Sequence, residues 1–146
     1  MAVLGRAARI LLAASLLLSL SARAEPVIVV HPSCPVMRLG REEARKLLLG
    51  EELSWSNGDA TQLIEIRGDD PVVSAGYQAI ARKTPSQIRA EWNRLVFAGR
   101  TNPPLRFGTA AEARAAVGRL PGAFAVIDSS AADATVKIVF RAPGAG

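Results

Sequence analysis

Residues 27–32, VIVVHP, form an unbroken β-branched run closed by a proline, the pattern of a strand buried on both faces. The apolar spacing then becomes helical. In REEARKLLLG, Ala44, Leu47 and Leu48 stand at i, i+3 and i+4, Glu42 and Glu43 suit a helix N-terminus, and Gly50 sits where the left-handed closing residue belongs. A turn around Asn57-Gly58 follows, with Trp55 as a hydrophobic anchor, and QLIEI (62–66) is a second strand. Asp70-Pro71 predicts a capped helix whose inner face is Val73, Tyr77, Ile80 and Ala81, closed by Arg82-Lys83. Thr84-Pro85 with Gln87 repeats the device as a capping box. The next stripe is Ile88, Trp92, Leu95 and Val96, ended by Gly99 and Pro103-Pro104. Thr109 and Glu112 open a last helix carrying Ala113, Ala116, Val117 and Leu120. AFAVID and VKIVF (136–140) complete a set of four strands. Strands alternating with helices predict one α/β domain over residues 25–141, with residues 142–146 as a frayed tail.

The pattern at the start of the chain is of another kind. Arg6 and Arg9 precede an apolar run from Ile10 to Leu20, and Ala22-Arg23-Ala24 is a small-x-small cleavage pattern. Residues 1–24 therefore read as a secretory signal peptide, too short in its apolar part to span a bilayer, with Glu25 the expected first mature residue. The expectation is a periplasmic protein with no membrane insertion after cleavage. Export also changes the charge. Loss of Arg6, Arg9 and Arg23 takes Lys plus Arg from 18 to 15 against 13 acids, so the net charge falls from +5 to +2. With no basic run or aromatic stripe, that balance does not point to nucleic acid.

The chemistry-bearing residues are few. One Cys, Cys34, excludes an internal disulfide; in an oxidising compartment it is an intermolecular bridge, a reactive thiol or a small core side chain. One His, His31, leaves too few ligands for a structural zinc site, so no metal or cofactor is expected. No Ser–His–Asp constellation, phosphate-cradling Gly-rich loop or catalytic carboxylate pair can be assembled, and an enzyme is not expected. Ser33 follows the first strand, at the strand end where α/β proteins place ligands, and is a candidate binding residue. Arg100, Thr101 and Asn102 lie in the exit loop after the Trp92 helix.

Three segments in order, REEARKLLLGEELSWSNG, PSQIRAEWNRLVFAGRTNPP and LPGAFAVID, resemble phosphate-type substrate-binding proteins of bacterial ABC importers. The likeness rests on Leu47 to Gly50, Trp55 to Gly58, Trp92 to Gly99 and Pro121 to Ala123, and extends over residues 27–128. It implies a single lobe of a periplasmic binding protein type II-like fold, with a central mixed sheet flanked by helices. It also implies a small anion such as phosphate as ligand and an ABC permease as partner. In that family the strand matching QLIEI is followed by an Arg and by Ser-Gly-Thr at a helix start. Here Arg67 is kept, but GDDPVVSAGY follows. Arg67, Asp70 and Ser74 are thus the implied ligand-binding set. Asp70 doubles as a helix cap, and Asp69-Asp70 opposes a dianion. Like charges near 4 Å cost on the order of 4 kcal/mol at an effective dielectric of 20. The rival expectation is an interaction or adaptor module that has lost its ligand and docks on a sensor, an envelope complex or a second copy of itself.

Overall fold

The computed structural model describes residues 23–143, so residues 1–22 of the expected signal peptide (1–24) and residues 144–146 of the expected tail (142–146) lie outside the described residues. The elements are β1 (Pro26–Val30), α1 (Arg41–Leu48), β2 (Gln62–Ile66), α2 (Pro71–Ala81), α3 (Pro85–Phe97), β3 (Leu105–Phe107), α4 (Ala110–Arg119), β4 (Ala123–Asp128), a 3-10 turn (Ser129–Ala131) and β5 (Lys137–Arg141). The five strands form one mixed sheet in the order β3-β2-β4-β1-β5. β2 runs parallel to β3 and β4, while β1 is antiparallel to both β4 and β5.

Strand alternation explains the three layers. Ile28 and Val30 of β1, Leu63 of β2 and Phe124 and Val126 of β4 face one side. There they meet α1, α2 and α3 through Leu47, Leu48, Val73, Tyr77, Ile88 and Trp92. Val27, Val29, Ile64, Ala125 and Ile127 face the other side and pack on α4 through Ala113, Ala116 and Val117. β1 and β4 lie inside the sheet with helices on both faces, which is why both read as continuous apolar runs. Trp92 is fully buried, and its indole Nε1 donates to the Leu48 carbonyl at the end of α1 (2.8 Å). Trp55 Nε1 donates to the Gly122 carbonyl (3.0 Å). Both tryptophans therefore anchor the core and carry their polar atom to a backbone oxygen.

Two sequence expectations are corrected, and of the three readings of Cys34 the structure agrees with the small core side chain. β3 was not foreseen: its three residues sit on the sheet edge, too short and too exposed to leave a periodic signal. Ala142, expected in the frayed tail, is buried, and its N–H donates to the Pro26 carbonyl (2.9 Å). Cys34 is 5% exposed and belongs to the core cluster under α1, so an intermolecular disulfide would require its loop to open.

Candidate functional site

The parallel strands β2, β3 and β4 end on one rim of the sheet, where the N-termini of α2 and α4 also lie. This is the rim on which α/β sheets bind ligands, because strand ends leave a crevice and helix N-termini supply free N–H donors. Arg67, Asp70 and Ser74 all lie there. Ser33 does not. Because β1 is antiparallel, Val30 pairs with Phe124 at the start of β4, and Ser33 emerges on the opposite rim. There its hydroxyl is hydrogen-bonded to His31 Nδ1 (2.7 Å), and its N–H donates to the same atom (3.0 Å). Ser33 was placed by the C-terminal end of its own strand, a rule that holds only when the neighbouring strands are parallel.

On the strand-end rim, the donors of α2 are already taken. Asp70 Oδ1 accepts from Val72 N (2.9 Å) and Val73 N (3.2 Å), Pro71 has no N–H, and Ser74 N donates to the Asp70 carbonyl. No donor of the first turn is left for an external oxyanion. Arg67 continues the β2–β3 ladder, its N–H donating to the Phe107 carbonyl (2.7 Å), and its side chain is exposed. Ser74 lies inside α2 and is half-buried. α4 is closed in the same manner. Thr109 Oγ1 accepts from Glu112 N (3.1 Å), and the Glu112 carboxylate takes Gly108 N (3.2 Å). At the end of β4, Asp128 Oδ1 accepts from Glu25 N and Ser130 N (both 3.3 Å), and Glu25 pairs with Arg141 (2.8 Å), which holds its carboxyl below the usual range. The rim is thus lined with carboxylates that cap the chain's own backbone.

Sequence reasoning missed a second polar cluster. Glu65 of β2 is 4% exposed, and its Oε2 has no hydrogen-bond partner among the described residues. Two guanidiniums approach that same oxygen: Arg89 of α3 at 3.9 Å and Arg106 of β3 at 3.7 Å, each through Nε. Burial pushes the Glu65 carboxyl up, and the two arginines oppose the shift. The buried Tyr77 phenol is pushed up too, first by burial and then by the Glu65 charge. The signal was present in QLIEI: period-two alternation puts Glu65 on the same inward face as Leu63. The exit loop of Arg100, Thr101 and Asn102 lines an open depression of about 510 Å³ with Thr61, Gln62 and Leu120, near the start of β2. Among the described residues, no helix is long and apolar enough to cross a membrane, and no cluster of three metal-ligating side chains forms.

The architecture is that of a single periplasmic-binding-protein-like lobe, and comparison with solved structures supports this. The chain is similar to an ABC-type phosphate transport receptor from Vibrio cholerae, with 16% identity and a TM-score of 0.53 over 81% of this chain and 46% of that one. It is also similar to a putative phosphate ABC transporter substrate-binding protein with bound phosphate from Clostridium perfringens, with 14% identity and a TM-score of 0.64, covering 81% and 45%. PstS from Borrelia burgdorferi gives 12% identity and a TM-score of 0.54, covering 81% and 47%. The chain therefore spans about half the length of these proteins. At such identities the likeness is one of fold. No protein-family model and no curated protein sequence matches the chain.

Proposed function

We propose that this protein is an exported, solute-binding-like lobe that acts as a periplasmic interaction module and does not hold free phosphate at its strand-end rim. The observation that carries this reading is the self-capping of α2. Asp70 occupies both available first-turn donors, Pro71 removes another, and Asp69 adds a further carboxylate beside them. A dianion there meets two acids and no free helix donors, the reverse of an anion site at a helix N-terminus. A rigid sheet with capped loops is well suited to presenting a surface to a partner, such as a sensor or an envelope complex.

The second reading is a small-anion carrier that works with an ABC permease. It is favoured by the solved neighbours, one of which is described with bound phosphate. Amide NMR of the labelled protein titrated with inorganic phosphate separates the two readings. The interaction-module reading expects no saturable shifts over Gly68 to Ser74, together with a reproducible cross-linked partner from the cell envelope. Saturable shifts at Gly68 to Ser74 establish the carrier reading instead.

A further inference from the structure

We infer that Arg89 and Arg106, set around the buried Glu65, form a second oxyanion site. It is distinct from the capped N-terminus of α2 and is built on the β2–β3 edge of the sheet, one residue pair before the strands end, with Arg89 of α3 beside it. Two positive groups converge on one negative group, so the cluster carries one uncompensated positive charge. Neither guanidinium is consumed by the contact. Both Nε atoms stand at 3.7 to 3.9 Å from Glu65 Oε2, beyond hydrogen-bond length, and neither arginine donates to any other described residue. A guanidinium in a full fork with a carboxylate sits at about 2.7 to 2.9 Å. Arg89 Nε is itself buried and without a partner, yet 37% of the Arg89 side chain is exposed; Arg106 has 41% exposed. Each side chain thus lies partly in solvent, with Arg89 Nε turned inward toward the acid.

Each member is fixed by a different element. Glu65 is locked by strand alternation on the inner face of β2. Arg106 stands beside it through the parallel Glu65–Arg106 register. Arg89 follows Ile88, which is fully buried, on the first turns of α3. Strand register and helix position, rather than the acid, set the two arginines on either side of Glu65, and they present their remaining donors as a pair. The ligand chemistry that fits is a small oxyanion with two oxygens to share, such as phosphate or a carboxylate. This inference does not depend on the interaction-module reading. The two concern different residues and can fail separately.

The test is a titration of the isotope-labelled protein with inorganic phosphate, and separately with acetate, at constant ionic strength held with chloride. Saturable shifts are expected at the Arg89 and Arg106 side-chain Nε–H signals and at the amides of residues 64–66 and 105–107. Glu65→Gln removes the competing negative charge and is expected to tighten binding about threefold to tenfold. Arg89→Gln with Arg106→Gln is expected to weaken it at least tenfold. That double variant leaves a buried acid unpaired, so the triple variant with Glu65→Gln serves as a fold-safe control that must also lose the site. Shifts that rise linearly without saturation, that survive the triple variant, or that Glu65→Gln weakens would each overturn the inference.

Discussion

Asp70 Oδ1 accepts hydrogen bonds from the backbone N–H groups of both Val72 (2.9 Å) and Val73 (3.2 Å). One carboxylate oxygen therefore closes the end of α2 that would otherwise attract an anion. Asp70→Ala is expected to cost about 1 kcal/mol of stability, the usual loss for an N-cap. The same change frees two donors and removes one acid from the rim. If that capping acid is what bars phosphate, Asp70→Ala protein should show larger phosphate-induced shifts at Val72 and Val73 than the parent. Thermal unfolding and the NMR titration read the two effects separately. Unchanged stability would mean that the cap contributes nothing to the fold.

Trp92 ties α3 to α1 by packing and by one hydrogen bond, and two substitutions separate these contributions. Trp92→Phe keeps most of the ring but leaves the Leu48 carbonyl without its indole donor. The expected cost is about 1–3 kcal/mol, the range for stranding a buried acceptor. Trp92→Ala also opens a cavity next to Phe124, whose ring centroid is 6.1 Å away, and is expected to cost about 3–5 kcal/mol. Denaturant titration of the two variants checks the order. Equal losses would show that the hydrogen bond, not the packing, sets the joint.

The elements legible in the sequence were those with local signals. Asp70-Pro71, Thr84-Pro85-Gln87 and Thr109 each cap a helix as their spacing predicts, because a cap is a contact within four residues. The apolar β1 and β4 were legible because both of their faces are covered. β3 was not, since a three-residue edge strand is specified by the neighbour it pairs with rather than by its own pattern. The candidate site was only partly legible for the same reason. Arg67, Asp70 and Ser74 are neighbours in sequence and come together on one rim. Ser33 depended on strand direction, which only the whole sheet determines. Glu65, Arg89 and Arg106 come from three elements, and no local rule joins them.

Gly122 sits at φ +85° in the turn before β4, against the Ala60 carbonyl. A Cβ added there would stand 2.1 Å from the Ala60 oxygen, a backbone atom that cannot swing aside. Left-handed backbone and a clash with a fixed oxygen act together. The Gly122 carbonyl also receives Trp55 Nε1, and Gln62 N donates to it. Gly122→Ala is therefore expected to destabilise by several kcal/mol, more than the roughly 1 kcal/mol that a strained turn position alone costs. Gly58→Ala serves as the comparison, because Gly58 has φ +90° but open space around it. Equal unfolding midpoints for the two variants would remove the close approach as the cause.

The Glu65 carboxyl gives the fold a pH dependence of definite sign. Its ordinary value is 4.5, and burial raises it in the folded protein. Between the unfolded and folded values the native state binds more protons than the unfolded chain, so stability falls as pH rises through that window. Glu65 thus contributes its full share below the unfolded value and loses it as pH passes the folded one. The opposite sign holds for Glu25, whose carboxyl is lowered by Arg141 and whose contribution fades as pH falls below its usual range. Glu25 is partly exposed, so its effect is small and screened by salt. Denaturant unfolding from pH 4 upward compares the parent with Glu65→Gln. The difference between the two curves should change with pH in favour of the Gln variant as Glu65 ionises. A difference that stays flat across the window would mean that Glu65 keeps the same affinity for its proton in the folded and unfolded chain.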